Sequence, residues 1–380
     1  MNDVAAIRWV FLLQPLILGA WFPRIPQVQQ TIGLSEGALA FALIGMPIGL
    51  LIALSFGSKI AERLGSRSLL TLGLGGYVIL MPIPAFTTSW LTLFGTLMLA
   101  GVAMAIAQLS LNVTASEVEE RSDKLIMNGC HGFWSVGVLC GAIIGSFMAG
   151  LAVQPGPALV GVAVLSGGPL LYAARAITDF DLKSNDAVGA PTKKPSRQLI
   201  NIALFGFGAA TTEGAMADWL AVFMTNTFSA APGIAGASYA VFALCLAAGR
   251  FSGDSLKARF RVEALAQALV MLALAGLFVA IASPVLWLSF FGVAMIGFGV
   301  SIGFPVAVSA ASALKDRSSA ANVAVLTQIT LCGFLVGPPV IGLIAEASNM
   351  RIGLAGLVPA LLLAFLMAPA LKPASRPVLA

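Results

Sequence analysis

The chain has 380 residues, 59% of them hydrophobic and 10% charged, with a net charge of +5 at pH 7. A soluble domain carries about 25% charged residues, so this composition excludes a fold surrounded by water. It describes an integral membrane protein.

A helix that crosses a bilayer needs about 20 mostly apolar residues. Twelve such runs follow one another, near 8–30, 37–58, 68–88, 91–114, 126–152, 157–176, 199–226, 234–254, 262–283, 286–313, 322–345 and 350–371. They are continuously apolar and do not alternate at period two, which argues against a transmembrane β-barrel. The first run passes into Trp21-Phe22-Pro23-Arg24 rather than a small-residue cleavage site, so helix 1 is expected to stay as an anchor. Cys130, Cys140, Cys245 and Cys332 fall inside predicted helices, and there is a single histidine. No metal or cofactor is expected from such spacings, and no nucleotide loop or catalytic grouping points to an enzyme.

With the N-terminus inside and the helices alternating, only Arg24 and Arg351 of the 21 Lys and Arg fall on the outer side. The positive-inside rule therefore puts both termini in the cytoplasm. It also accounts for the positive net charge without a nucleic-acid partner. The longest polar interruption, Thr178 to Gln198, divides the chain into residues 1–177, a cytoplasmic linker 178–198, and residues 199–380. The linker is expected to be flexible.

A gapless shift of 196 residues aligns Gly37 with Gly233, Gly57 with Gly253, Arg63 with Arg259, Gly101 with Gly297, Gly137 with Gly333 and Gly141 with Gly337. Matches at corresponding helices point to two parallel six-helix repeats, a known transporter architecture. The expected fold is an all-α membrane protein of twelve transmembrane helices in two pseudo-symmetric six-helix bundles.

The segment after helix 2 reads Gly57-Ser58-Lys59-Ile60-Ala61-Glu62-Arg63-Leu64-Gly65-Ser66-Arg67. It resembles the signature loop of the major facilitator superfamily, with Glu62 where Asp is usual. A degenerate copy follows helix 8, with Gly249, Arg250, Gly253, Asp254, Lys257 and Arg259. Three further segments are similar to the branch that contains YbjJ and the rhizopine-locus membrane protein MosC. They are Trp21-Phe22-Pro23-Arg24-Ile25-Pro26, the run from Asn112 to Glu119 with His131-Gly132-Phe133-Trp134-Ser135, and Glu213-Gly214-Ala215-Met216-Ala217-Asp218-Trp219. The resemblance implies a monomeric transporter of the bacterial inner membrane, working by alternating access. In it Gly57, Glu62, Arg63, Gly65, Arg67, Arg250, Asp254 and Arg259 would form a conformational gate at helix ends.

Glu213 lies midway along helix 7, with no basic residue between Arg197 and Arg250. A carboxylate at membrane depth is costly to keep charged and marks a functional site by default. Glu213 is therefore a candidate for proton coupling or substrate contact. Asp218, five residues on, is rotated by about 140° on an ideal helix. It is a second proton candidate unless it pairs with Arg24, and both acids could face one cavity only if the helix broke near Gly214. Asn128, His131 and Ser135 form a polar stripe on helix 5, opposite a ridge of Gly137, Gly141 and Gly145; Gln108 and Asn112 share a face of helix 4. These two stripes are expected to meet and line a cavity, with His131 also able to titrate. Gln14, Trp21, Arg24, Trp134, Asn322 and Gln328 complete the candidate set, while Trp90 and Trp287 read as interfacial anchors. Arg24 could be a gate partner, a ligand of substrate or a snorkelling side chain.

The leading expectation is a secondary transporter of a small polar solute: a sugar, a cyclitol, or an amino-cyclitol of the rhizopine type, with protons as the coupling ion. Export of amphipathic drugs or lipids is the alternative, left open by 23 Phe and 13 Met. A Gly-Pro motif resembling that of drug antiporters does occur, but on helix 11 and not on helix 5.

Overall fold

In a bilayer every backbone amide and carbonyl must be satisfied within the protein, and a helix does so inside its own segment. The computed structural model describes residues 2–64, 66–122, 126–179 and 194–372, without the side chains at 54, 55, 57–64, 66, 128 and 320. Among the described residues it contains helices and no strand. Twelve spans among the described residues are long and apolar enough to cross a membrane. They are α1 (Asp3–Ile32), α2 (Glu36–Leu43 continued by Gly45–Leu64), α3 (Arg67–Phe86), α4 (Trp90–Ser122), α5 (Met127–Gly150) and α6 (Pro155–Ala176). There follow α7 (Arg197–Phe228), α8 (Pro232–Arg259), α9 (Val262–Ala282), α10 (Leu286–Ala313), α11 (Ser319–Ala347) and α12 (Met350–Leu371).

Several helices outlast their apolar runs. α2 continues to Leu64, α4 to Ser122 and α8 to Arg259. The signature segment from Gly57 is thus largely the last two turns of α2, and its copy lies within α8, where loops were expected. Hydropathy reports the surroundings of a side chain, and a helix with no proline in its path need not stop where the bilayer does. Prolines do interrupt α1. It breaks at Gln14-Pro15 and tightens into a 3-10 turn over Phe22–Arg24. The expected weak point at Gly214 is absent: α7 is unbroken, and a Cβ there would strike the Phe334 ring of α11.

Two compact units form, Met1–Asn185 with Asp218–Ala243, and Asp186–Ala217 with Leu244–Ala380. In the first, the glycine ridge of α5 packs on α1. Added Cβ atoms at Gly137, Gly141 and Gly145 would run into the carbonyl oxygens of Leu12, Leu16 and Ala20. In the second, Gly333 and Gly337 of α11 lie against Phe207 and Thr211 of α7. The glycines matched by the 196-residue shift therefore make the same helix contact in each half, which gives the repeat a physical basis.

Carboxylates secure the starts of α5 and α11. Glu119 Oε2, near the end of α4, accepts from the backbone amides of Ile126 and Met127 at 2.6 and 2.8 Å. These donors have no partner within their own helix. Asn322, buried in the first turns of α11, donates to Asp316 Oδ1 at 3.0 Å and to the Leu314 carbonyl at 3.5 Å. The Ser196 hydroxyl, and then Asn322, hold the Asp316 carboxyl below its usual range.

Two outcomes follow. Gly141→Ala and Gly333→Ala should each destabilise the detergent-solubilised protein by about 1–3 kcal/mol, read as the thermal midpoint. Gly161→Ala, where nothing lies within 4 Å of the added methyl, should be neutral or stabilising by up to about 1 kcal/mol. Asp316→Asn should unfold earlier than the wild type at pH 7. Because the folded state lowers the Asp316 pKa, its contribution is present above about pH 4 and is lost as pH falls further. The two midpoints should converge in acid.

Candidate functional site

The first unit gathers hydrogen-bonding side chains around the break in α1. Gln14, completely buried, precedes Pro15, and Gln108 Nε2 of α4 donates to Gln14 Oε1 at 3.2 Å. Gln14 Nε2, Asn112 Oδ1 one turn along α4, and Trp134 Nε1 are buried with no partner among the described residues. Gln108 of the α4 stripe thus meets α1, which the glycine ridge also holds against α5. The Phe11 ring of α1 meets His131 edge-on, with centroids 5.5 Å apart. His131 is exposed, and Ser135 Oγ donates to its carbonyl at 3.2 Å. The side chain of Asn128 lies outside the described residues.

Trp21 and Arg24 are buried, which excludes snorkelling for Arg24. Its guanidinium donates to the Gly145 carbonyl at 3.4 Å and to that of Val153. Val153 lies just beyond the end of α5, where carbonyls lack helical donors and the helix dipole is negative, and Gly145 lies five residues inside that helix. The pairing with Asp218 is not formed; among the described residues Asp218 makes no hydrogen bond or ion pair.

In the second unit Glu213 has a counter-charge that its own helix does not supply. Arg250 Nη2 of α8 lies 2.8 Å from Glu213 Oε1 and 3.0 Å from Oε2. Arg250 Nε donates to the Ser301 carbonyl at 3.3 Å. That carbonyl would ordinarily accept from residue 305, which is a proline with no amide hydrogen. Arg250 fills the gap and aims its fork at Glu213. About a quarter of each side chain is exposed, so the pair is accessible enough to exchange partners. Arg250, placed by sequence in a gate, belongs to this pair.

Of the remaining gate candidates, the side chains of Gly57, Glu62 and Arg63, and Gly65 altogether, lie outside the described residues. Arg67 Nη2 donates to the Ile177 carbonyl at the end of α6 (3.0 Å), a helix-end contact of the expected kind. Asp254 is exposed and pairs with Lys257 on its own helix at 2.7 Å; Arg259 is exposed. Gln328 is exposed on α11. Sequence reasoning passed over Ser301 and Glu119. The signal for Ser301 was Pro305 four residues on; for Glu119 it was an acid just before a helix start.

The sequence profile of the Major Facilitator Superfamily matches residues 9–196. An uncharacterized MFS-type transporter of Yersinia pestis is 30% identical over 368 residues, 96% of this chain and 94% of the relative. The membrane protein MosC of Rhizobium meliloti is 26% identical over 353 residues, 91% of this chain and 84% of MosC. Among solved structures, that of the nucleoside transporter NupG matches with a TM-score of 0.75 at 13% identity, covering 97% of this chain and 99% of NupG. The transporter FucP in its outward conformation matches at 0.66 and 16% identity, over 98% and 99%. The folds agree from end to end, and relatedness to the Yersinia protein spans nearly the whole sequence: the chain belongs to the major facilitator superfamily of membrane transporters.

Proposed function

We propose that the protein moves a small polar solute across the inner membrane by alternating access, the solute being a sugar, a cyclitol or an amino-cyclitol such as a rhizopine. The supporting observation is the polar layer of Gln14, Gln108, Asn112 and Trp134. Burying an amide without a hydrogen-bond partner costs about 1–3 kcal/mol, and three unmatched polar atoms in one unit suit a ligand that supplies both donors and acceptors. A hydroxyl-rich solute does so; an amphipathic drug or lipid does not. The relation to MosC favours the amino-cyclitol, and Arg24, Trp21, His131, Ser135 and Gln328 remain subsidiary members of the set. We also take residues 1–177 and 199–380 as the two repeats, joined by 178–198.

Proton coupling rests on the Glu213–Arg250 pair. A proton or a substrate ammonium that binds Glu213 competes with Arg250 for the same carboxylate, so occupancy and the α7–α8 contact change together. Asp218 and His131 are the further candidate proton groups.

Ligand-induced thermal stabilisation tests the reading, with sugars, inositols, amino-cyclitols and hydrophobic cations screened at two pH values. A ligand at a hundredfold excess over its Kd should stabilise the protein by about 2.7 kcal/mol. A shift by a polyol or amino-cyclitol, lost in folded Gln14→Ala and Gln108→Ala variants, is expected. Stabilisation by hydrophobic cations alone would overturn the proposal in favour of export. Independently, the cycle of Glu213→Gln, Arg250→Gln and the double variant should show a coupling of about 1–3 kcal/mol in thermal or chemical unfolding. Additive effects would remove the basis for the coupling role.

A further inference from the structure

α10 consists of two helical pieces, Leu286–Val300 and Gly303–Ala313, joined through Ser301 and Ile302 with the backbone still in the α region. The ladder resumes at once, because the Val306 amide donates to the Ile302 carbonyl at 3.0 Å. The Ser301 carbonyl is passed over, since its helical donor would come from position 305, a proline with no amide hydrogen. The Ser301 hydroxyl is engaged within its own helix, donating to the Phe298 carbonyl at 2.7 Å. α8 comes close at this point. A Cβ at Gly249 would strike Ser301 Oγ, and one at Gly253 would stand 3.1 Å from Ile302 Cγ2. Two glycines about one turn apart thus bring the α8 backbone up to the break and set Arg250 beside it.

The set occurs in one half of the chain. The 196-residue shift places Ile17, Leu54, Ala105 and Leu109 where Glu213, Arg250, Ser301 and Pro305 stand. Acid, base, serine and proline are present together in one half and replaced together by apolar residues in the other. A proline kept only to bend α10 would carry no such link to charges on two other helices. The link has a physical reason. An arginine in a membrane span becomes an uncompensated charge when its carboxylate partner is neutralised, and such a charge is costly to bury. Arg250 Nε is bound to Ser301 and Nη2 to Glu213. Different nitrogens of one guanidinium serve the two acceptors, so loss of one bond leaves the other in place.

We propose that Pro305 is a positioning residue for the Glu213–Arg250 pair: by withholding a helical donor from the Ser301 carbonyl, it makes that oxygen the fixed anchor of Arg250. The anchor aims Nη2 at Glu213, and it holds the guanidinium when a proton or a substrate cation takes the arginine's place on the carboxylate. An alanine at 305 would supply the missing amide hydrogen, close the ladder of α10 and leave Arg250 without its anchor. The inference rests on the coupling reading of Glu213 and not on the identity of the solute.

Reaction with dicyclohexylcarbodiimide tests it. The reagent adds to protonated carboxyls in apolar surroundings, and its adduct at Glu213, read by peptide mass, reports how firmly Arg250 holds the carboxylate. At pH 7 Pro305→Ala should raise the rate about tenfold, equivalent to about 1.4 kcal/mol of lost pairing, and Arg250→Gln should raise it by at least as much. Pro305→Gly supplies the same amide hydrogen and serves if the alanine variant is not recovered from the membrane. The decisive comparison puts lactate at position 305 by nonsense suppression. Lactate has the side chain of alanine but an ester oxygen in place of the N–H, so the rate should return to that of the wild type. Ser301→Ala keeps the carbonyl and should leave the rate unchanged. Acceleration by alanine but not by lactate supports the positioning role. Equal acceleration by both would assign the effect to the lost ring and overturn it. Acceleration by Arg250→Gln alone would also overturn it, leaving the charge pair standing without Pro305. No acceleration in any variant would take the coupling reading down with the inference.

Discussion

A carbonyl without a donor is the constraint around which this protein is arranged, because the bilayer offers no water to satisfy it. Helix ends and prolines create such carbonyls, and arginines answer them. Arg67 serves the end of α6, Arg24 the end of α5, Arg351 the Ile281 carbonyl in the last turn of α9, and Arg250 the Ser301 carbonyl released by Pro305. Arg24 and Arg351 are the two positive residues that the inside rule leaves on the outer side. Each is accounted for by a helix terminus whose negative dipole end favours a cation.

The same constraint shapes the functional groups. Where Pro15 interrupts α1, Gln14 is enclosed and bonded to Gln108, so the local break coincides with a polar layer. Where Pro305 interrupts the ladder of α10, the arginine that completes it is also the partner of Glu213. A charge pair in a low-dielectric setting is worth keeping only when further hydrogen bonds hold its geometry, and the Ser301 carbonyl supplies one. Irregular backbone and candidate chemistry therefore occur together, as membrane transporters tend to place them.

Glycine sets the complementary rule for contact between helices. α5 on α1 and α11 on α7 use equivalent glycines to bring backbones together, so the two halves share a packing scheme with little shared side-chain chemistry.

The amino-acid sequence by itself determined the class, the twelve spans and the kinship. Continuous apolar runs of bilayer length have few alternatives, and positive charge and paired glycines carry orientation and repeat. It also singled out Glu213 and Asp218 as acids within a membrane helix, and Gln14 and Arg24 as candidate site residues. Their partners were decided only by tertiary structure. Glu213 and Arg250 are 37 residues apart, Gln14 and Gln108 are 94 apart, and Arg24 and Gly145 are 121 apart. No local period connects such pairs. Which helix face meets which was settled by glycine ridges and by carbonyls left free at prolines, and those act only once the helices are side by side.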